Sequence, residues 1–274
     1  MHCLKQSSLQ KYAEVESSDW LFPIVVVPKK NDKLRICVDF RKLNEQTIKD
    51  PFPLTFTDTM LDQVAGHEMY SFLDGYSGYN QISLADEDRE KMAFIIEWGA
   101  FIYLVMPSGL CNTPVTFQRA MMTIFSEYLQ NSMAIFVDDF MVYSTIAKHL
   151  EYLRLMFQKC REKRVCLNPY KCLLGAFKGV LLGHVVSKDG IEMTQDKLKA
   201  IQEAVAPTNA NETSSFLGYV NFYRRFVDKL AELANPKLAK PMYTLTKKRL
   251  LSSGIQNVKK GLRTSRKLSP KNPY

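Results

Sequence analysis

The chain has 274 residues, 46% of them hydrophobic, enough to bury a sizeable core and too apolar for a disordered protein. No run approaches the roughly 18 apolar residues that span a bilayer, and Met1 to Gln6 lack the apolar stretch of a secretory signal. The net charge of +9 lies wholly in residues 247–274, where nine Lys and Arg stand without one Asp or Glu, so it argues for nucleic acid only in that tail.

Six cysteines, at positions 3, 37, 111, 160, 166 and 172, form no C-x-x-C pair, and the four histidines are scattered. A zinc site is not expected, and reduced, mostly buried thiols in an intracellular protein are. Along the chain, residues 1–19 are polar and unpatterned. Apolar runs at 20–27 and 33–40 flank Lys29-Lys30-Asn31-Asp32, which reads as a hairpin tip. Pro51 and Pro53 mark a connector, and Phe56 to Val64 suits a short helix capped by Thr57 or Asp58. Met69 to Leu73 reads as a strand ending on Asp74. A polar turn, Ala85 to Lys91, precedes strands at 92–97 and 101–105. Asn112-Thr113-Pro114 should start a helix, with Asn112 as cap and Phe117, Met121, Phe125 and Leu129 on its buried face.

Next comes Ala134 to Tyr143, an apolar run interrupted only by Asp138 and Asp139. The flanks suit buried strands and the break suits a hairpin tip. Two adjacent anions in such a setting would protonate unless a cation keeps them ionised, and a divalent metal with oxygen ligands does so. A plain turn is the alternative, and these ten residues leave both open. A second helix is expected at about 148–163, with Leu150, Leu153, Phe157 and Cys160 on one side. A strand-like run follows at 179–187, and helical pattern at 196 onward breaks at Pro207 and resumes from 214 to about 233. The last 28 residues lose hydrophobic periodicity, as a disordered tail does. Strands alternating with helices imply a layered α/β fold of the α+β kind, in which Asp74 and the Asp138-Asp139 tip can lie side by side. Three converging carboxylates suit a pair of Mg²⁺ ions, the arrangement of phosphoryl-transfer enzymes.

Leu73-Asp74-Gly75-Tyr76-Ser77-Gly78-Tyr79-Asn80-Gln81-Ile82 resembles the first catalytic motif of reverse transcriptases from gypsy-type LTR retrotransposons, plant ones in particular. Phe136-Val137-Asp138-Asp139 resembles the second, residues 34–44 the fingers motif, and residues 105–118 the nucleotide-pocket motif. Residues 182–191 resemble the primer grip, and Phe216-Leu217-Gly218 with Tyr223-Arg224-Arg225-Phe226 the start of the thumb.

The resemblance implies a right-hand polymerase palm with fingers and a partial thumb. Fingers would span residues 1–53 and 82–112, palm 54–81 and 113–189, and thumb with the start of the connection 190–246, followed by the basic tail 247–274. It implies an RNA-directed DNA polymerase that adds dNTPs to a primer on an RNA or DNA template, using two Mg²⁺ ions for which Mn²⁺ could substitute. Asp74, Asp138 and Asp139 would hold the metals, and Lys171 would protonate pyrophosphate. Lys29 and Arg35 would grip the triphosphate, Tyr79 would sense the sugar, and Gly109 and Gln118 would line the nucleotide pocket. Gly183, His184, Tyr223, Arg224 and Arg225 would meet nucleic acid. The setting would be cytoplasmic, in a virus-like particle, or nuclear, with no membrane partner; oligomeric state is not legible.

Two departures stand out. Ser108 replaces the bulky aromatic the family has between Pro and Gly, and no RNase H, protease or integrase motif follows or precedes the polymerase motifs. The chain therefore looks like a polymerase core excised from a polyprotein. A catalytically impaired relic, or a nucleic-acid-binding module that keeps the fold, is the second reading; a Mg²⁺-dependent nuclease of another fold is the third, disfavoured by the fingers and thumb motifs.

Overall fold

The computed structural model describes residues 11–28, 34–129, 131–204, 209–226 and 265–266. They fall into two compact units, one from residues 1–60 and 70–176, the other from 61–69 and 177–274. In chain order the elements of the first unit begin with β1 (Tyr12–Val15), β2 (Phe22–Pro28), β3 (Leu34–Val38) and α1 (Arg41–Gln46). Then come α2 (Thr57–Val64), which runs across the unit boundary, β4 (Met69–Asp74), α3 (Asp86–Arg89), β5 (Ala93–Ile96) and β6 (Gly99–Tyr103). The unit ends with α4 (Thr113–Ile124), β7 (Met133–Phe136), β8 (Asp139–Ser144), α5 (Ile146–Glu162) and β9 (Leu173–Ala176).

Two sheets build this unit. One has the order β1-β6-β5-β2-β3, the other β7-β8-β4-β9. In the first, β2 and β3 pair antiparallel from Ile24↔Val38 to Pro28↔Leu34, and Phe22, Phe40 and Phe94 form the core beneath. β1 was not legible, because it is a four-residue edge strand with no fully buried position. The polar stretch 85–91 forms α3 rather than a plain turn. Asp86, Glu87 and Asp88 favour a helix N-terminus, and Arg89–Asp86 and Lys91–Asp88 ion pairs at 2.7 Å lie along it.

The second sheet carries the carboxylates and rests on α4 and α5. Phe117, Met121 and Phe125 are buried as expected, and Pro114 stands in the first turn. Asn112 is the N-cap residue, but its side chain does not cap; its amide donates to Ile48 O at 2.9 Å and accepts from Asp50 N–H at 3.0 Å. Two backbone partners in the 48–50 segment take the place of the expected cap.

The buried face of α5 also differs from expectation. Leu150 is 67% exposed, and His149, Leu153, Met156 and Cys160 face inward. A buried histidine is tolerated here because serines on two adjacent strands satisfy it. Ser144 Oγ donates to Thr145 O at 3.0 Å, so it must accept from His149 Nδ1–H at 2.8 Å. Nε2 is then the acceptor for Ser71 Oγ–H at 2.8 Å, and Ser71 Oγ accepts from Gly175 N–H at 3.0 Å. Every proton is placed by a neutral ring, which cross-links β8, β4 and β9.

Burial pushes the His149 pKa below its ordinary value of 6.5. The unfolded chain therefore binds a proton that the folded one refuses, so stability is complete above about pH 6.5 and falls as pH drops through the folded pKa. Through His149, melting at pH 7 gains relative to melting at pH 5, and His149→Asn should remove that gain. His67, also lowered by burial, keeps its own share in both proteins. An unchanged slope in the variant would remove His149 as a source.

The second unit holds β10 (Lys178–Leu181), β11 (His184–Ser187), β12 (Gly190–Met193), α6 (Gln195–Glu203), α7 (Ala210–Phe222) and β13 (Ser265–Arg266). What reads in sequence as one run, 179–187, is a hairpin turned at Leu182 (φ 47°) and Gly183 (φ 77°). α7 starts at residue 210, before the expected 214, because Asn209 Oδ1 accepts from Glu212 N–H at 2.9 Å. Of the basic tail, only Ser265–Arg266 is described. It pairs with Ile191 and Glu192 as a fourth strand, so the expected disorder does not hold there; the edge of β12 offers free backbone groups to it. The rest of the tail, residues 227–233 of the expected helix, and the 29–32 tip lie outside the described residues. No helix among the described residues is long and apolar enough to cross a membrane.

Candidate active site

Asp74 ends β4, the strand that pairs with β8, and β8 opens on Asp139. Phe136 pairs with Asp139, so the two-residue tip is Val137-Asp138, one position earlier than the sequence suggests. The reason is Val137, whose φ of 51° places a β-branched residue in the left-handed region. That conformation costs on the order of 1–3 kcal/mol and needs support from its surroundings. Support comes from Gln118 on α4: its Nε2 donates to Ile135 O at 3.0 Å, and its Oε1 accepts from Val137 N–H.

The loop after Asp74 closes on the same tip. Gly75 N–H donates to Asp138 O at 3.3 Å. A Cβ on Gly78 would stand 2.9 Å from Asp138 Oδ1 and 3.0 Å from Phe117 Cζ, so only glycine permits this approach. Residues 166–168 bind the other side. Asn168 N–H donates to Asp74 O at 2.8 Å, and Gln81 pairs its amide with both the N–H and the C=O of Cys166.

Burial raises the Asp138 carboxyl pKa above its ordinary value, and the Asp74 and Asp139 charges raise it further. Asp139 is exposed but is raised likewise, by desolvation and then by Asp74. The three carboxylates thus share one electrostatic neighbourhood. Lys171, expected to act as an acid, lies there too: its Nζ is 3.0 and 3.2 Å from the two oxygens of Asp74. Tyr79 packs edge-on against Phe117, ring centroids 5.5 Å apart. Burial, with the adjacent Asp138 charge, pushes its phenol up to about 12.

The donors fit a hard divalent cation in kind. All are carboxylate oxygens, and Asp138 Oδ1 is buried with no hydrogen-bond partner among the described residues. They do not yet form a ligand set, since no group of three His, Cys, Asp or Glu side chains among the described residues is placed to hold a metal. An exposed Lys–Asp pair is worth only about 0.2–1 kcal/mol, so Lys171 holds Asp74 only weakly.

Other expected site residues are placed differently. Gln118 is fully buried and holds backbone, so it does not line an open nucleotide pocket. Gly109 does lie in an exposed loop, at φ 105°, tied by Asn44 Nδ2 to Gly109 O at 2.8 Å, with exposed Ser108 beside it. Arg35 is exposed on β3. Lys29 lies outside the described residues. In the second unit His184 and Tyr223 are 1% and 2% exposed, and His184 packs on Phe222, Tyr223 and Phe226. They are core residues, not nucleic-acid contacts, because an aromatic stripe at helical spacing serves packing here. Tyr223 Oη–H donates to Gly183 O at 3.3 Å, which fixes the turn at Gly183. Arg225 pairs with Asp62 at 3.0 Å, and Arg224 is exposed. The sequence assigns no individual role to Gly78, Asn44, Gln81 or Val137; all four lie inside the motifs, but their contacts leave no local pattern.

Residues 27–220 match the reverse transcriptase (RNA-dependent DNA polymerase) family. The Pol polyprotein of transposon 297 from Drosophila melanogaster is 36% identical over 239 residues, covering 85% of this chain and 22% of the polyprotein. The Tf2-3 polyprotein of Schizosaccharomyces pombe is 30% identical over 215 residues, 78% of this chain and 16% of that one. The chain thus spans about a fifth of the length of these relatives. Among solved structures, the foamy viral protease-reverse transcriptase in complex with dsDNA superposes with TM-score 0.81 at 21% identity, covering 98% of this chain and 57% of that one. The same enzyme in complex with an RNA/DNA hybrid gives 0.74 at 21% identity, over 91% and 34%. The fold is therefore that of a reverse transcriptase, as expected.

Proposed function

The chain belongs to the reverse transcriptase family, and on that footing we propose that it is an RNA-directed DNA polymerase of a gypsy-type LTR retrotransposon of plant type. Its substrates are dNTPs and a primer annealed to RNA or DNA, and its setting is intracellular. The observation that carries this reading is the shared neighbourhood of Asp74, Asp138 and Asp139, with an orphaned buried carboxylate oxygen on Asp138. Asp74, Asp138 and Asp139 would hold two Mg²⁺ ions, with Mn²⁺ able to replace them. When bound, these ions lower the pKa of the primer 3′-hydroxyl and neutralise charge on the leaving pyrophosphate.

The chain's own residues do the rest. Burial and the crowding of like charges raise the carboxyls at 138 and 139, and a bound cation would offset that repulsion. Lys171 Nζ, freed from Asp74, can carry the proton that pyrophosphate takes as the 3′-oxygen bonds to the α-phosphorus. The phenol of Tyr79, un-ionised to about pH 12, presents a neutral ring and hydroxyl beside Asp138. That wall suits exclusion of a 2′-hydroxyl. Arg35 and Lys29 serve as triphosphate contacts, and Arg224 as a phosphate contact.

Primer extension on an RNA template tests the reading, with Asp138→Asn as control. Extension in Mg²⁺ or Mn²⁺ that the control lacks supports it; no extension by the parent chain overturns it. Ser108 gives the binding-module reading its one foothold, since an exposed serine leaves the nucleotide without a packing ring. Salt-dependent binding to primer–template without extension would favour that alternative. In an active chain, Ser108→Phe should lower the KM for dNTP about tenfold, equivalent to roughly 1.4 kcal/mol. An unchanged KM would show that the missing ring does not matter.

A further inference from the structure

We propose that Gln118 is a positioning residue, which holds Val137 in its left-handed conformation and so sets where Asp138 stands. The side chain is fully buried. One end of its amide donates to Ile135 O at 3.0 Å and the other accepts from Val137 N–H, so a single planar group spans the end of β7 and the tip. Val137, at φ 51°, is β-branched and resists that conformation. Without the bond from its N–H, the tip would relax towards negative φ. Asp138 is the next residue, and its Oδ1 lies where a Cβ on Gly78 would meet it at 2.9 Å, so its position is tied to that of the Asp74 loop.

The base of the clamp is rigid. Gln118 lies on α4, and its neighbour Phe117 packs under the Asp74 loop, so one turn of helix references both halves of the carboxylate site. Gln118 therefore acts on the reaction through backbone geometry and touches no nucleotide.

The inference rests on the polymerase reading, and its test separates the two. Gln118→Met keeps the length and loses both hydrogen bonds. In single-nucleotide extension its kcat should fall about 10–100-fold, the size expected of a slight misplacement of reacting groups, with KM for dNTP within about twofold. Adding Val137→Gly should restore at least about fivefold of that loss, because glycine adopts positive φ without a steric cost. Loss through KM, or no rescue by glycine, overturns the proposal.

Amide hydrogen exchange gives a readout independent of activity. In the parent chain the Val137 amide should exchange slowly, and in Gln118→Met at least about tenfold faster, with Met141 and Val142 in mid-β8 unchanged. Fast exchange at Val137 in the parent overturns the clamp even if the variant fails to fold. If the parent extends no primer, the polymerase reading falls, and exchange alone decides the clamp.

Discussion

An Asp138→Asn chain is expected to lose nucleotide addition by about 10³-fold or more and yet to melt above the parent in metal-free buffer. The Asp138 carboxyl is raised by burial, then by Asp74, then by Asp139, and its Oδ1 has no partner among the described residues. A raised carboxyl binds its proton more readily in the folded state than in the unfolded. Stability is therefore fullest below the ordinary value of 3.8 and declines as pH rises through the folded pKa. Asn carries no charge, keeps the shape and can still accept from Tyr79.

A gain on the order of 1 kcal/mol, about 2–4 °C in Tm for a chain of this size, is the usual return for relieving an active-site conflict. Thermal melts in EDTA and in Mg²⁺ check it. Magnesium should raise the parent's Tm, as a ligand that binds only the folded state does, and should leave the variant nearly unmoved. A variant that melts lower than the parent in EDTA would mean that Asp138 is stabilised by its protein neighbours and is not held in reserve for a cation.

That conflict was half legible in the sequence. Two acids in an apolar hairpin announced an unmet charge, and a strand ending on Asp74 announced its companion. The register of the tip was not legible, because valine almost never takes positive φ. What makes it do so is an amide 19 residues upstream, and such long-range support leaves no local pattern. His149 was missed for a related reason: at helical spacing Leu150 looks like the inward residue until serines on β4 and β8 are found waiting for an imidazole. His184 and Tyr223 show the reverse error. Aromatics interleaved with arginines read alike whether they stack on bases or on one another, and only their burial decides.

Phe117→Ala is expected to have the largest effect on stability, about 3–5 kcal/mol, or a fall in Tm of roughly 10 °C. The ring is fully buried and meets Tyr79 at 5.5 Å and 83°, and Phe140 at 6.5 Å and 77°. It also closes against Gly75 and Gly78. Its removal leaves a cavity bounded by the Asp74 loop on one side and β8 on the other, so both carboxylate carriers lose the surface they rest on. Phe125→Ala is the matched control. That ring is equally buried and meets Phe140 at 5.9 Å, but no ring contact joins it to Tyr79 among the described residues. The two variants should lose similar stability by denaturant melts. At a temperature where both remain folded, Phe117→Ala should lose at least about tenfold more kcat, since misplacing reacting groups is costly even without unfolding. Equal losses of kcat would reduce Phe117 to an ordinary core ring and leave the placement of Asp74 against Asp138 to the backbone alone.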